Sequence, residues 1–274
     1  MKTTVIDENY MAELSPVFKG KVGRFLAKGV LKILSVDKVN ALYGRHYHAK
    51  GPDFTTLTLE DIGVKYEIIN KDRLENLPEG SFITVSNHPL GSIDGIMLID
   101  IFARIRPDFK VMVNGILTQI EAMDCNFIAV QPATGDKKSI SRASLNGIRE
   151  CLDRLRNNHP IGFFPAGAIS MLDPKTDKVE DRDWQPSVIR IIKGAKVPVY
   201  PVYFEGLNSK FFYQLGRISW QLRSMRIPSE VFNKRGTTFR VHIGEPISPE
   251  EQAKFATVEE LGEYLKQKTY ELVK

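Results

Sequence analysis

The chain is poor in cysteine and has no long hydrophobic run. Cys125 and Cys151 are the only cysteines among its 274 residues, and neither lies in a paired motif. A disulfide framework or a zinc site is therefore not expected, and both thiols are predicted to be reduced. The longest apolar runs, such as residues 197–204, are far too short to span a bilayer. Residues 1–8 also lack the continuous apolar core of a secretion signal, which predicts a cytoplasmic protein.

The composition is that of an ordinary globular protein. Hydrophobic residues make up 42% of the chain and charged residues 26%, which excludes a disordered or fibrous protein. A chain of this length can bury a large core in one domain or two. The net charge of +5 fits an anionic partner, but it does not choose among a membrane surface, a nucleic acid and an acidic carrier protein.

The apolar pattern changes along the chain. Residues 1 to about 50 are predicted to be helical, and a short strand or two is expected at 57–59 and 64–69. From there strand-like and helix-like stretches alternate. Strands are predicted at 81–86, 109–113, 127–130, 161–164, 197–204 and 238–243, and helices at 93–105, 140–156, 185–195 and 257–273. This order predicts an α/β fold, with a mixed, largely parallel sheet flanked by helices and an N-terminal amphipathic helical segment.

Basic residues recur on one face of a predicted N-terminal helix. Lys21, Arg24, Lys28 and Lys32 are spaced by three and four residues, while Phe25 and other apolar residues lie elsewhere on the helix. This pattern is typical of a helix that lies in a membrane interface. The alternative is a surface helix that packs on its own domain and keeps its basic side chains in water.

A histidine and an aspartate follow the predicted strand at 81–86. Pro89 bars further strand pairing just after His88, and Ser92 is predicted to cap a helix whose first turn holds Asp94. The helix dipole favours an ionised carboxylate there, and a carboxylate beside an imidazole sets its tautomer and raises its basicity. These properties suit a general base that takes a proton from an alcohol. The alternative is structural, namely a histidine bonded to the backbone and an aspartate that stabilises a helix start.

Another strand, predicted at 161–164, runs into Pro165 and a turn of small residues. Such a turn can bring main-chain N–H groups close to a substrate carbonyl or phosphate. It is equally compatible with a tight end of a strand that binds no ligand, so this turn alone does not identify a site.

Four blocks of sequence occur in a definite order. They are residues 87–94, 126–130, 163–167 and 197–202. Together they resemble the lysophospholipid acyltransferase superfamily, which includes the bacterial 1-acylglycerol-3-phosphate acyltransferases. The resemblance spans roughly residues 80–250. Four blocks in order are far more specific than any one of them.

Departures from the usual blocks bear on the acceptor. Five residues, instead of the usual four, separate His88 from Asp94, which is similar to a branch often labelled hemolysins. That branch includes the O-acyltransferases that complete ornithine- and glycine-type aminolipids. Val130, Ala166 and Ile169 stand where the blocks usually have arginine, glutamate and arginine. In the glycerol-phosphate branch those arginines are implied to hold a phosphate, which valine and isoleucine cannot do. An acceptor with a carboxylate head, or one held by other cations, is favoured.

The resemblance implies an acyltransferase that uses an acyl thioester of acyl carrier protein or coenzyme A. The acceptor would be the hydroxyl of a lysolipid, with an N-(3-hydroxyacyl) amino acid favoured. His88 would be the general base, and Asp94 would orient the ring and stabilise its charge. The residues implied to bind substrate are Asn87, Phe164, Pro165, Ala166 and Gly167. Main-chain donors in the stretch from Phe164 to Gly167 are the candidates to stabilise the oxyanion.

Two further sets of cations have implied partners. Lys137 and Arg142, near a predicted helix start, are expected to bind the acyl carrier, its phosphopantetheine or a lipid head group, although a solvated loop is the alternative. The basic N-terminal helix is expected to bind an anionic membrane, at the cytoplasmic face of the bacterial inner membrane. Residues 1–78 would then be a membrane-association segment with the first strands, and residues 79–274 the acyltransferase core. No metal or resident cofactor is expected, because the thioester is already activated, and no nucleic acid.

Three other functions remain open. The first is a lysophospholipid or 1-acylglycerol-3-phosphate acyltransferase of phospholipid biosynthesis. The second is a thioester hydrolase that gives the acyl group to water. The third is an inactive peripheral membrane-binding protein, which the replaced block residues would explain.

Overall fold

The chain forms one large sheet with helices on both sides. The structure is a computed structural model that describes residues 3–131 and 142–273. The strands are β1 (Lys65–Ile69), β2 (Ile83–Ser86), β3 (Lys110–Asn114), β4 (Phe127–Val130), β5 (Ile161–Phe163), β6 (Met171–Leu172), β7 (Val179–Glu180), β8 (Val199–Phe204) and β9 (Thr238–Ile243).

The helices surround that sheet and form most of the N-terminal region. The α-helices are α1 (Glu8–Leu14), α2 (Gly20–Ile33), α3 (Val36–His46), α4 (Gly51–Ile62), α5 (Asp72–Glu75), α6 (Ser92–Ile105), α7 (Arg142–Arg156), α8 (Pro186–Ala195), α9 (Lys210–Ile218), α10 (Trp220–Met225), α11 (Ile227–Phe232), α12 (Pro249–Gln252) and α13 (Val258–Tyr270). Short 3₁₀ helices span Pro16–Phe18, Gly115–Gln119, Glu121–Asn126 and Glu271–Val273.

The sheet has seven strands in the order β1-β9-β8-β2-β5-β3-β4, and β6 and β7 form a separate antiparallel pair. Every neighbouring pair in the large sheet is parallel except β8 and β9. The predicted mixed, largely parallel sheet is therefore confirmed. Strand β2 lies between β5 and β8, so the ends of three parallel strands meet where β2 ends. Ligands in such sheets bind beyond the carboxyl ends of the strands.

Both faces of the sheet are buried, which explains why all four residues of β2 are buried. On one face Phe82 packs with Phe54 of α4 and Phe102 of α6 in the larger core cluster. On the other face Ile83 belongs to a cluster that includes Ile189 of α8. Each aromatic or branched side chain removed from water stabilises the fold by about 1.5–3 kcal/mol. The segment that leaves β2 is thus held by a rigid, fully covered strand.

The region before β1 differs from the prediction. The expected strand at 57–59 is wrong, because these residues lie in α4. Phe54, Leu59 and Ile62 are buried on one side of that helix, which packs on α6. The alternation Leu57-Thr58-Leu59 is typical of a strand, but burial of a helical face outweighs so short a pattern. The strand expected at 64–69 is confirmed as β1, and the helices α9, α10 and α11 had no predicted counterpart.

Candidate active site

The turn after β2 presents a histidine in front of a helix start. Helix α6 begins at Ser92, so Gly91 is the N-cap and the expected capping role of Ser92 is wrong. Gly91 has a φ of 76°, a conformation that glycine adopts without a Cβ penalty. The side chain of Asp94 does the capping instead. Its carboxylate accepts hydrogen bonds from the N–H groups of Leu90, Gly91 and Gly95, at 2.9, 3.2 and 3.0 Å.

Asp94 faces the ring of His88. Nδ1 of His88 lies 3.0 Å from Oδ1 of Asp94, and Asp94 is fully buried while the histidine side chain is 20% exposed. The distance is that of an ion pair, although the ring nitrogen is not aligned for a hydrogen bond and has none from the described residues. The contact therefore acts mainly through charge. Because Nδ1 faces the carboxylate, Nε2 is the ring nitrogen left to exchange a proton with a substrate.

The charges around His88 raise its pKa above the ordinary value of 6.5. Burial by itself would lower this pKa, since it disfavours the charged ring. The negative charge of Asp94, and to a smaller degree that of Asp181, outweighs the effect of burial. A ring with a raised pKa is a stronger base, which suits the abstraction of a proton from an alcohol.

Asp181 is a second carboxylate at His88, and the sequence analysis missed it. Its Oδ1 accepts hydrogen bonds from the main-chain N–H of His88 at 3.2 Å and from the hydroxyl of Ser170 at 2.6 Å. Its Oδ2 accepts one from Nε1 of Trp184 at 3.1 Å. Asp181 is 93 residues away along the chain, so no local spacing pattern relates it to His88. Only the structure, in which Asp181 is buried and both of its carboxylate oxygens accept hydrogen bonds, shows that it belongs to the site.

The segment after β5 forms one wall of the site. The ring of Phe164 lies over that of His88, with 4.2 Å between the ring centroids. Pro165 and Ala166 are buried, and Gly167 is exposed with a φ of 61°. The N–H of Gly167 donates to the carbonyl of Phe164 at 2.9 Å. The N–H of Gly167 is therefore not available as an oxyanion donor, and Pro165 has no N–H. Of the predicted main-chain donors, those of Phe164 and Ala166 remain.

Asn87 supports the turn. Its amide donates to the carbonyl of Phe204 at 3.0 Å and accepts from the N–H of Phe204 at 2.8 Å. The residue is 2% exposed. Both polar atoms of its amide thus tie the end of β2 to the end of β8, which is the role that the structure shows for Asn87.

The side chains of two predicted cations lie outside the described part of the chain. Lys137 lies outside the described residues, and only the backbone of Arg142, which begins α7, is described. Two histidines outside this turn have acidic partners elsewhere in the fold. His46 pairs with Asp61 at 2.7 Å and His242 pairs with Glu205. Neither lies in the turn after β2, since His46 belongs to α3 and His242 to β9.

Helix α2 has three different faces. Small and apolar residues, Gly23, Ala27 and Leu31, are buried. The residues predicted to contact a membrane are all exposed, namely Lys21, Arg24, Phe25, Lys28 and Lys32. A separate exposed face is apolar, with Phe25 at 78% exposure beside Val22 and Ile33. Lys28 forms a surface pair with Glu8 at 3.3 Å. No described helix is both long and apolar enough to cross a membrane.

Known acyltransferases are similar to this chain. The family model described as "Acyltransferase" matches residues 9–274. A lyso-glycine lipid O-acyltransferase of Bacteroides thetaiotaomicron is 28% identical over 260 residues, which cover 92% of this chain and 91% of that protein. A protein of the same name from Phocaeicola vulgatus is 26% identical over 281 residues, covering 97% of this chain and 96% of that protein.

A solved structure shows a similar fold. The crystal structure of the 1-acyl-sn-glycerophosphate acyltransferase PlsC from Thermotoga maritima matches with a TM-score of 0.51 and 17% sequence identity. The match covers 97% of this chain and 92% of that chain. At this identity the likeness concerns the arrangement of strands and helices.

Proposed function

This chain belongs to the acyltransferase family, and we propose that it acylates the hydroxyl of an N-(3-hydroxyacyl) amino acid in aminolipid biosynthesis. The observation that supports this most is the 3.0 Å contact between Nδ1 of His88 and the buried carboxylate of Asp94, at the end of the central strand. The names of the two similar proteins from Bacteroides and Phocaeicola favour an acceptor with a glycine head.

The reaction needs no nucleophile from the enzyme. Nε2 of His88 removes the proton of the acceptor hydroxyl, and the resulting oxygen attacks the thioester carbonyl. The carbon–sulfur bond then breaks, and the protonated ring returns its proton to the thiolate. Asp94 stabilises the imidazolium between these two steps by its charge. The donor is proposed to be a thioester of acyl carrier protein or coenzyme A.

The choice of an amino acid acceptor has support from two apolar positions. Ile169 is buried with Phe212 and Tyr213 in a small apolar cluster, and Val130 ends strand β4. Neither position offers a cation for a phosphate. The phosphate of a glycerol-phosphate acceptor would have to be bound by cations elsewhere. The carboxylate of an amino acid carries less negative charge and needs fewer cations to bind it.

Acceptor assays with purified protein test the proposal. The protein is supplied with an acyl thioester and either N-(3-hydroxypalmitoyl)glycine or 1-acylglycerol-3-phosphate, and products are identified by mass spectrometry. We expect the doubly acylated glycine lipid. Turnover of the phosphate acceptor alone would overturn the choice of acceptor. Release of free fatty acid without a lipid product would indicate a hydrolase.

We also propose that α2 holds the protein on an anionic membrane, at the cytoplasmic face. Its exposed apolar face can enter the interface while the neighbouring cations contact lipid head groups. Replacing Lys21, Arg24 and Lys32 together by glutamine is expected to weaken binding to vesicles that contain phosphatidylglycerol by at least about 10-fold. Lys175, Lys178 and Lys254, exposed elsewhere, provide the matched triple glutamine control. Equal binding of both triple variants would contradict this role of α2.

A further inference from the structure

Arg223, in α10, is a buried cation without an acidic partner. The residue is 8% exposed, and its guanidinium carbon lies 5.5 Å from the centre of the Phe212 ring. Glu230, the next acid along the chain, pairs instead with Lys234 at 3.2 Å and more loosely with Arg226 at 4.0 Å. No acidic side chain in the described ranges pairs with Arg223. A buried charge is costly unless an opposite charge compensates it.

A second guanidinium adds to the unbalanced charge. Arg223 lies over Phe212, which belongs to the same small apolar cluster as Ile169, and Arg182 lies at Gly167, two residues before Ile169 in the chain. Burial lowers the pKa of Arg223, and the positive charge of Arg182 lowers it further. Arginine stays protonated under such conditions. Arg182 is anchored by its Nε, which donates to the carbonyl of Ala166 at 2.7 Å. Its Nη2 points to Gly167, 3.5 Å from where a Cβ would be. Two cations near this cluster, neither of them paired with an acidic side chain in the described ranges, form a place for an anion.

This candidate anion site lies at the same end of the strands as His88. Arg182 is bound to the turn that carries Phe164, whose ring lies over His88. Tyr213 provides a second connection. It is buried, and its hydroxyl accepts a hydrogen bond from the main-chain N–H of Asn208 at 3.1 Å. The side-chain amide of Asn208 donates in turn to the carbonyl of Pro89 at 3.0 Å, in the turn that follows His88. Tyr213, next in the chain to the Phe212 that Arg223 contacts, is thus tied to the turn between His88 and Asp94.

The surroundings of Arg223 favour a lipid over a soluble anion. Helices α9 and α10 expose large apolar side chains, including Phe211, Ile218 and Trp220, the last at 61% exposure. Residues 206–229 contain no aspartate or glutamate. An exposed apolar surface of this kind suits an acyl chain, and a lone inorganic anion would gain nothing from it.

We infer that Arg182 and Arg223 bind the carboxylate of the acceptor's amino acid head group. This inference rests on the proposed function and deepens it. A carboxylate fits the fork of a guanidinium with two parallel hydrogen bonds. In the small apolar cluster at Tyr213, the side chain of Ile169 lies against Gly91, three residues before Asp94. The acyl chain then lies along the exposed apolar face of α9 and α10, and the hydroxyl faces His88.

Kinetics of three single variants test which substrate the arginines hold. Arg223→Gln and Arg182→Gln are each expected to raise the KM for N-(3-hydroxypalmitoyl)glycine by at least about 10-fold, because a charge-assisted pair is lost. The KM for the acyl thioester should stay unchanged. Arg217→Gln removes an exposed charge from α9 and should leave both constants unchanged. A rise confined to the KM for the thioester would overturn the inference, since the arginines would then hold a phosphate of the donor.

Equilibrium binding separates this inference from the proposed function. Isothermal titration calorimetry with N-octanoylglycine and its neutral amide, both below their critical micelle concentrations, measures the preference for the carboxylate. We expect the unmodified protein to bind the acid at least about 10-fold more tightly than the amide. The preference should disappear in Arg182→Gln, survive in Arg217→Gln and persist in part in Arg223→Lys, which keeps the charge and guards against loss of the fold.

The outcomes of the two experiments are distinct. Suppose that the protein acylates the glycine lipid but that all variants prefer the acid over the amide to the same degree. Arg182 and Arg223 then do not bind the carboxylate, and the proposed function stands. If the protein acylates no hydroxyacyl amino acid but shows an arginine-dependent preference for the acid, the proposed function is wrong and the anion site stands without its role in catalysis.

Discussion

The turn 87–95 and the segment 170–184 each bring a carboxylate to His88, and they do so differently. Asp94 lies 3.0 Å from the ring nitrogen. Asp181 binds the main-chain N–H of the same residue at 3.2 Å. One carboxylate therefore acts on the charge of the imidazole, and the other acts chiefly on where the residue sits. The same side chain type has different effects because one contact involves the titrating ring and the other the backbone.

The two carboxylates also differ in what holds them. Asp94 accepts hydrogen bonds from main-chain N–H groups within four residues of itself. Asp181 is held by the side chains of Ser170 and Trp184, while its own N–H donates to the hydroxyl of Tyr270. A local motif is thus sufficient to place Asp94. Asp181 depends on elements that meet only after the sheet has formed.

Replacing His88, the residue that both carboxylates contact, has the largest expected effect. His88→Ala should lower kcat by about 1000-fold while the fold persists, because no other described group at Asp94 can take up the proton. The rate of acyl transfer and the circular dichroism spectrum check this. His48→Ala, which removes an exposed histidine, is the control and should have full activity. An unchanged rate in His88→Ala would show that His88 is not the base. Lipid binding without acyl transfer, in the unmodified protein as in the variant, would identify an inactive membrane-binding protein.

Asp94→Asn tests the carboxylate that acts on charge. We expect a loss of about 100-fold in kcat, since the imidazolium is no longer stabilised. The loss of negative charge also lowers the pKa of His88, so the neutral, basic ring persists to lower pH. The acidic limb of the profile of kcat/KM against pH should therefore move to lower pH even as its height falls. An acidic limb that stays in place would show that Asp94 does not set the pKa of His88.

Asp181→Asn tests the carboxylate that acts on position. Its Oδ2 accepts a hydrogen bond from Trp184, and an amide nitrogen there would face a donor. We expect about 1–3 kcal/mol less stability in urea unfolding and a roughly 10-fold lower kcat. The acidic limb should move less than in Asp94→Asn, because Asp181 is the smaller electrostatic influence on His88. Asp177→Asn, in an exposed turn, is the matched control. An equal or larger shift of the acidic limb would show that Asp181 influences the pKa of His88 as strongly as Asp94 does.

Ser170→Ala has the smallest expected effect and sharpens the comparison. The hydroxyl of Ser170 reaches His88 only through Asp181. We expect a loss of about 1 kcal/mol in stability and only a few-fold in kcat. The effect on kcat should vanish in the background of Asp181→Asn, a result that a double-mutant cycle measures. Additive effects would mean that Ser170 acts on the site by another route.

Long, periodic elements were predictable from the chain alone. The strands at 127–130 and 238–243 occur at the predicted bounds, and α6 and α8 begin within one residue of theirs. Alternation and helical spacing in these stretches agree with the burial that the sheet provides. Residues 57–59 of α4 were predicted as a strand from their alternation, and this was wrong because three alternating residues carry little information against the packing of a whole helical face on α6.

For the site, sequence determined what lies close along the chain. The strand that ends at His88, the turn that follows it and the carboxylate six residues on are all local, so residue types and spacing were sufficient to find them. Tertiary structure decided which distant residues complete the surroundings. Phe164 and Asp181 reach His88 only because the segments that follow β5 and β7 pack against the end of β2. A contact between residues far apart in sequence leaves no periodic pattern, since its partners are selected by the packing of the complete fold.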